Sequence, residues 1–129
     1  MAIEVGLTAS GSFTVGDADT AIALGSGDVP VLATPRLVAW SEAVTVRALG
    51  GHLADDATTV GTRVELDHVA ASAVGTDVTV DVVLSAVEGR NLHFDVHAWQ
   101  HENASIARGV VSRVLVDRER FLGRLRGAG

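Results

Sequence analysis

The sequence lacks cysteine altogether, so disulfides and thiolate metal sites are excluded. It also lacks a basic surplus: the formal net charge is −6 and all 10 basic residues are arginine. A nucleic-acid partner would need a basic stripe to neutralise phosphates, so we expect none. Although 47% of the residues are hydrophobic, no uninterrupted apolar run approaches the roughly 20 residues that cross a bilayer. We expect a soluble protein with no membrane partner.

Several sequence motifs are missing as well. The N-terminal residues have no basic segment followed by an apolar one, so we expect no secretory signal and a cytoplasmic location. The sequence contains neither the G-x-S-x-G turn of serine hydrolases nor the H-E-x-x-H zinc motif. These absences leave serine-hydrolase and zinc-protease functions without support.

The segment TPRLVAWSEAVTVRALGG predicts a long helix over 35–49. Thr34 is a good N-cap residue, and Pro35 suits the first helical turn. Gly50 and Gly51 end the helix.

The rest of the chain alternates apolar and polar residues with the period of two that half-buried strands show. Strands are predicted at 11–15, 58–69, 76–87, 91–101 and 105–116. Turns at 88–90 and 103–105 would join the last three strands. The polar, glycine-containing stretch 16–31 is predicted to be a loop or lid, and 117–127 a short helix or a frayed tail.

This order of elements predicts the fold class. A sheet of long antiparallel strands must cover its apolar face, and the helix at 35–49 is the only element long enough to do so. We therefore expect an α+β protein with the hot-dog fold, in which a curved antiparallel sheet wraps around one central long helix. The whole chain, 1–129, is expected to form a single domain.

Glu42 is the one charged residue on an otherwise apolar side of the predicted helix. Placed at roughly 100° steps, it falls in an arc with Val38, Thr45 and Leu49. Burial without a partner would disfavour the charged carboxylate and prepare it for proton transfer. The alternative is a glutamate at the rim that pairs with an arginine.

His68 has the same strand parity as Val60, Val64 and Leu66, whereas Gly61 falls on the opposite face. A histidine on the apolar face is commonly a satisfied core residue, but here it faces the helix. We expect His68 and Glu42 to converge in one apolar cleft, with Thr34 at the helix N-terminus.

His93, His97 and His101 recur at every fourth residue, a spacing that would suggest a metal site on a helix. In a strand, residues four apart are roughly 13 Å from each other, too far to share one ion. We interpret these histidines as part of a solvated polar face and expect no metal.

These segments resemble the hot-dog thioesterases of the fluoroacetyl-CoA thioesterase type. The resemblance runs from Phe13 to Phe121 and is carried by ATPRLVAWSEAVTVRAL, VGTRVELDHVAASAVG and VEGRNLHFDVHAW. It assigns the catalytic threonine, glutamate and histidine to Thr34, Glu42 and His68, and a substrate-binding glycine to Gly61.

The resemblance implies hydrolysis of acyl-CoA thioesters by a homodimer, with the sites near the subunit interface and with no cofactor beyond the coenzyme A of the substrate. Two such dimers could pair into a tetramer. In this mechanism His68 is the acid–base group, and Glu42 activates water or attacks directly. Thr34 positions the carboxylate, while amides at the helix start hold the oxyanion.

One segment departs from the family pattern. Fluoroacetyl-specific members have an aromatic-rich lid before the catalytic threonine, whereas residues 21–33, AIALGSGDVPVLA, contain no aromatic residue. We therefore expect a plain short or medium acyl chain as the substrate. A non-catalytic acyl-CoA-binding or regulatory module and an acyl-thioester dehydratase are the alternatives, because one fold hosts unrelated functions.

Overall fold

A five-stranded antiparallel sheet packs against one long helix in the computed structural model, which describes residues 3–127. The strands are β1 (Thr8–Thr14), β2 (Ala57–His68), β3 (Asp77–Glu88), β4 (Asn91–Gln100) and β5 (Ala104–Asp117). The helices are α1 (Ala21–Leu24), α2 (Thr34–Leu49) and α3 (Arg118–Gly127). The strand order across the sheet is β1-β3-β4-β5-β2. The predicted α+β architecture is confirmed.

Helix α2 fills the inner side of the sheet because its apolar residues recur at the helical period. Leu37, Val44 and Ala48 form one stripe with the small residue Ser41, and all four are buried. The Ser41 hydroxyl donates to the carbonyl of Leu37, so this polar group is satisfied inside the core. The helix ends at Gly50, as predicted.

The two central strands supply the inner face of the sheet. Every second residue from 78 to 84 in β3 and from 92 to 98 in β4 is at most 4% exposed: Val78, Val80, Val82, Leu84, Leu92, Phe94, Val96 and Ala98. This alternation confirms the predicted faces of both strands. Burial of one such aliphatic or aromatic side chain contributes about 1.5–3 kcal/mol, so these eight positions account for much of the folding free energy.

The connection between β2 and β3 differs from the hairpins that join the later strands. Gly89, at a φ of 63°, allows the tight turn between β3 and β4. In contrast, β2 lies at the sheet edge beside β5, while β3 lies between β1 and β4. Residues 69–76 therefore cross from one side of the sheet to the other. Within residues 3–127, one edge of β2 has no strand partner.

Two predicted segments need correction. Strand β1 begins three residues earlier than predicted, at Thr8. The stretch 16–31 is not all loop, because it contains a 3₁₀ turn at Asp17–Asp19 and the short helix α1, which Thr20 caps through its side chain. Of the two alternatives for 117–127, the short helix is confirmed, over Arg118–Gly127.

A bulge in β2 changes which residues face the helix. The pairing of β2 with β5 shifts between Gly61 and Arg63, so one extra residue is accommodated there. The predicted opposition of Gly61 to His68 is therefore wrong: a Cβ on Gly61 would point at the Glu42 side chain of α2. One inserted residue reverses the faces to which odd- and even-numbered residues of β2 point. Gly61, before the bulge, and His68, after it, therefore face the same side of the sheet.

A substitution at Gly109 of β5 tests how closely the backbones of β2 and β5 approach each other. A Cβ at this position would overlap the backbone of Glu65, so we expect Gly109→Ala to lower the free energy of unfolding by about 1–3 kcal/mol. Gly123→Ala is the matched control, because the nearest atom is 3.9 Å away. In α3 the control is expected to be stabilising by about 0.5–1 kcal/mol. Urea unfolding followed by circular dichroism measures both, and equal effects would contradict the close approach.

Candidate active site

Thr34 and His68 meet where α2 begins and β2 ends. The Oγ1 atom of Thr34 lies 2.8 Å from Nδ1 of His68. The predicted N-cap role of Thr34 is wrong, because the helix begins at Thr34 and Ala33 occupies the cap position with extended backbone angles. Instead of capping a backbone amide, the threonine hydroxyl engages the imidazole.

The environment of His68 favours its neutral form. Burial lowers the pKa of His68 below its ordinary value of 6.5, and the backbone of Ala70 offsets this only in part. The Nε2 atom is buried and has no hydrogen-bond partner among the described residues. A neutral imidazole with one free ring nitrogen can move a proton to or from a bound molecule.

A cleft opens beside this pair. Its volume is about 320 Å³, at the lower end of the usual range for ligand pockets. The walls come from the start of α2, from residues 68–71 and from the preceding loop, where Val29 and Val31 contribute apolar surface. Pro35 has no N–H, but the amides of Thr34 and Arg36 lie in the first turn, where helical N–H groups have no partner within the helix. The first residue of α2 and an imidazole therefore adjoin a cleft with polar and apolar walls.

Glu42 lies about two turns further along α2. Its side chain is 36% exposed, and Oε2 accepts a hydrogen bond of 3.2 Å from Nη1 of Arg113. The expectation of an unpartnered carboxylate is therefore wrong, and the alternative of a rim glutamate paired with an arginine is confirmed. Gly61 lies directly beneath Oε2. Any side chain there would displace the carboxylate.

Arg113 is the residue at this site that sequence analysis missed. It lies on β5 opposite Gly61 and is only 6% exposed. A signal was available, because Arg113 has the same strand parity as the fully buried Val111. An arginine at an inward-facing strand position needs partners, and a glutamate on the covering helix is the natural one.

The predicted convergence of Glu42 with His68 is not made within one chain. Eight residues separate Thr34 from Glu42, about 12 Å along a helix. Seven residues separate Gly61 from His68, up to about 23 Å along a strand. In the described part of the chain, no hydrogen bond or ion pair joins Glu42 to Thr34 or His68. The Thr34–His68 pair and the Glu42–Gly61 pair thus lie at opposite ends of the contact between α2 and β2.

The outer face of the sheet carries other polar groups, which are engaged with one another. A groove of about 470 Å³ lies there, but its Asp81 already accepts hydrogen bonds from Ser10 and Trp99. His93 lies 2.8 Å from the Ser112 hydroxyl, and His97 lies 3.1 Å from that of Ser105. Among residues 3–127, no group of three or more histidine, aspartate or glutamate side chains is placed to hold a metal.

Comparison with known proteins agrees with the geometry. Residues 15–119 match the family model of the fluoroacetyl-CoA-specific thioesterase FlK. A crystal structure of FlK superposes with a TM-score of 0.90 and 29% identity, covering 100% of this chain and 99% of that one. Another FlK structure holds a mutant in complex with acetyl-CoA. No curated protein matches the chain.

More distant structures share the fold. A thioesterase superfamily member from Thermus thermophilus has a TM-score of 0.91 at 22% identity, covering 98% of this chain and 93% of its own. A hot-dog-like protein from Thermanaerovibrio acidaminovorans has a TM-score of 0.88 at 23% identity, with coverages of 96% and 91%. The predicted hot-dog fold is confirmed.

The fold and the family match define a hot-dog thioesterase, an enzyme that hydrolyses acyl-CoA thioesters. The chain belongs to the fluoroacetyl-CoA-specific thioesterase family, as its sequence segments predicted. No helix within the described residues is long and apolar enough to cross a membrane.

The lowered pKa of His68 predicts a pH-dependent stability. The unfolded chain takes up a proton at His68 near pH 6.5, whereas the folded chain does so only at lower pH. The unfolded state therefore binds more protons as the pH falls below about 6.5, and the folded state loses stability there. Above pH 6.5 His68 is neutral in both states, so the folded state keeps its full stability there. We expect His68→Gln to lose less unfolding free energy than the wild type between pH 7 and 5.5.

Urea unfolding at the two pH values measures this difference. His101→Gln is the control, because it removes an exposed histidine and is expected to leave the wild-type loss unchanged. A ring titration of His68 by NMR with a midpoint above 6.5 would contradict the effect of burial.

Proposed function

We propose that the protein hydrolyses short or medium acyl-CoA thioesters at the cleft beside Thr34 and His68. The observation that supports this most directly is the 2.8 Å contact between the Thr34 hydroxyl and the His68 ring in the wall of this cleft. The acyl chain would lie against Val29, Val31 and Val69, while the thioester carbonyl would meet the amides at the start of α2. Coenzyme A is part of the substrate, and no other cofactor is expected.

The active enzyme is proposed to be a homodimer in which Glu42 acts beside His68 of the other subunit. Since one chain keeps these two side chains apart, a second copy is the simplest source of the carboxylate. Thr34, Val38 and Glu42 lie on one ridge of α2, at intervals of four residues. If two α2 helices pack antiparallel about a two-fold axis near Val38, each Thr34 faces the partner's Glu42.

The surface around Glu42 supports this assembly. The neighbouring positions on α2 are small or apolar and exposed, namely Ala39, Ala43 and Val46, the last of them 53% exposed. The adjacent strand β2 has a free edge among the described residues. An apolar helix face beside an unpaired strand is a surface that a second copy can cover.

The proposed reaction follows from these positions. In the tautomer that we propose, the Thr34 hydroxyl donates to Nδ1 of His68 and the proton of the neutral ring lies on Nε2. The partner's Glu42 takes a proton from water, whose oxygen attacks the thioester carbon. When the carbon–sulfur bond breaks, Nε2 of His68 gives its proton to the thiolate, and Glu42 passes the proton that it took from water to Nε2, so that both groups return to their starting states. The products are a carboxylic acid and coenzyme A. Direct attack by the carboxylate, followed by hydrolysis of an anhydride, remains the alternative path.

The substrate range follows from the loop before α2. Residues 21–33 contain no aromatic residue, so the cleft has no rigid aromatic cover over the position next to the carbonyl. The loop's apolar contribution comes from aliphatic side chains such as Val29 and Val31. Aliphatic walls discriminate weakly between a fluorine and a hydrogen on the acyl group, and they favour added methylene groups. Fluoroacetyl selectivity is therefore not part of the proposal.

Thiol release from a panel of acyl-CoAs tests the reaction and its range. We expect turnover of acetyl- to octanoyl-CoA, with no preference for fluoroacetyl-CoA over acetyl-CoA. Glu42→Gln and His68→Ala are each expected to lower kcat by about 10²–10⁴-fold, because each removes a proton-transfer group. Ser12→Ala, on the far side of the sheet, serves as the control. Full turnover by both variants would refute the assignment of these residues, and tight binding without hydrolysis would favour a binding module.

Mixing the two inactive variants tests whether the site is shared between subunits. A heterodimer of Glu42→Gln with His68→Ala contains one site in which both wild-type groups are present. Random exchange yields half heterodimers, each with one of two sites intact, so about a quarter of the wild-type activity should return. Sedimentation of each variant checks that it is dimeric. If both groups act within one chain, every site in the mixture lacks one of them and no activity returns.

Other features stay predictions. They are the cytoplasmic location, the absence of nucleic-acid and membrane partners, the single domain over 1–129 and the pairing of dimers into a tetramer.

In the shared site, Gly61 is proposed to bind substrate by leaving room beside the carboxylate, since a side chain there would fill the same space.

A further inference from the structure

A hydrogen-bonded chain of serine, histidine and glutamate lies on the outer face of the sheet, on the side away from α2. The Oγ atom of Ser112 on β5 lies 2.8 Å from Nδ1 of His93 on β4. Nε2 of the same ring lies 2.9 Å from Oε1 of Glu88, the last residue of β3. The three side chains come from three neighbouring strands, so the sheet itself fixes their order.

The carboxylate decides which nitrogen of the neutral His93 ring carries the proton. A carboxylate only accepts hydrogen bonds, so Nε2, which faces Glu88, is the protonated nitrogen. Nδ1 is then an acceptor, and the Ser112 hydroxyl donates to it. In this arrangement the imidazole can take the serine proton while the carboxylate stabilises the imidazolium that forms. The two ring nitrogens are exchanged relative to the chymotrypsin triad, but the roles are the same.

A groove of about 460 Å³ runs along this part of the outer face, and its size is within the usual range for ligand pockets. Ser112 is only 7% exposed, and it lines the groove together with His93 and Glu88. Arg63 of β2 pairs directly with Ser112 across the two strands, so its side chain emerges on the same face. The Arg63 side chain is 67% exposed, so its guanidinium is free to approach an oxygen that becomes negative beside Ser112.

A second serine–histidine pair on the same face lacks the carboxylate. Nε2 of His97 lies 3.1 Å from Oγ of Ser105. Among residues 3–127, no hydrogen bond or ion pair joins His97 to a carboxylate. Ser105 therefore has a base but no group that orients the base and stabilises its charged form, and it provides an internal comparison for Ser112.

We propose that Ser112, His93 and Glu88 form a second nucleophilic site, which hydrolyses small, uncharged carboxylic esters. The charge of the groove selects against anions, because the carboxylates of Glu65, Glu88 and Asp95 line it against a single arginine. The phosphates of an acyl-CoA are repelled by such a surface. The site is thus separate in place and in substrate from the thioesterase cleft, and it does not depend on the proposed function.

The reaction has two halves that return the site to its starting state. Ser112 Oγ attacks the ester carbon while its proton passes to Nδ1 of His93, and Arg63 stabilises the oxyanion that forms. When the carbon–oxygen bond breaks, Nδ1 gives this proton to the departing alcohol and leaves an acyl group on Ser112. Water then attacks the acyl carbon, its proton passing through Nδ1 to the serine oxygen. The products are a carboxylic acid and an alcohol.

A fluorophosphonate probe tests the nucleophile in the intact protein, because an activated serine displaces its fluoride and forms a stable phosphonyl ester. We expect labelling of Ser112, located by peptide mass spectrometry, with Ser105 unlabelled. His93→Gln should slow the labelling by about 10²-fold or more, because it removes the base. Glu88→Gln should slow it by a smaller factor. His97→Gln is the matched control and should leave the rate unchanged.

Hydrolysis of p-nitrophenyl acetate measures turnover by the same site. The assay uses the Glu42→Gln background, so that the thioesterase cleft contributes little. We expect Ser112→Ala in this background to release p-nitrophenol about 10²-fold more slowly. Circular dichroism confirms the fold of each variant.

Four results would overturn the proposal. They are the absence of the probe from Ser112, equal labelling of Ser112 and Ser105, a labelling rate that a folded His93→Gln variant leaves unchanged, and equal ester hydrolysis with and without the Ser112 hydroxyl. Hydrolysis of acyl-CoA is measured separately, so failure of the proposed function and failure of this second site give different results.

Discussion

One helix has to cover the inner face of the whole sheet, and this constraint decides where the chemistry can lie. α2 buries Leu37, Val44 and Ala48 against the strands, so its charged residues can lie only at its ends or along its flanks. Thr34 occupies the first position and Glu42 a flank. Both face β2, the edge strand, where the sheet leaves the helix partly open. Catalytic groups at the margin of a packed core have rigid support on one side and access to ligand on the other.

The sequence predicts most of the fold because periodicity reports burial directly. Val78 to Leu84 and Leu92 to Ala98 alternate without interruption, and both strands face as predicted. The prediction failed at Gly61, because a bulge adds a residue that no hydrophobic period reveals. It failed at Thr34 for another reason: a threonine hydroxyl at a helix start has two possible hydrogen-bond partners, a backbone N–H of the first turn and a side chain from elsewhere in the chain. Only the tertiary structure decides between them.

Two of the three ionisable side chains of the site, Arg113 and His68, lie in different environments. Arg113 is buried, but Thr59 and Glu42 accept its hydrogen bonds. For His68, burial outweighs the backbone contact and lowers its pKa, so the neutral ring predominates near pH 7. Thr34 lies against the buried ring but adds no charge to stabilise the imidazolium. The result is a fixed cation at one end of the α2–β2 contact and a neutral proton carrier at the other.

The carboxylate and the imidazole lie at opposite ends of the α2–β2 contact, and this placement suits a two-fold symmetric dimer. In the proposed dimer, a two-fold axis across the middle of the contact would bring the carboxylate end of one subunit beside the imidazole end of the other. Each chain would then supply one carboxylate and one partly buried histidine to two shared sites. In the proposed dimer, Arg113 enters each shared site together with the carboxylate that it holds.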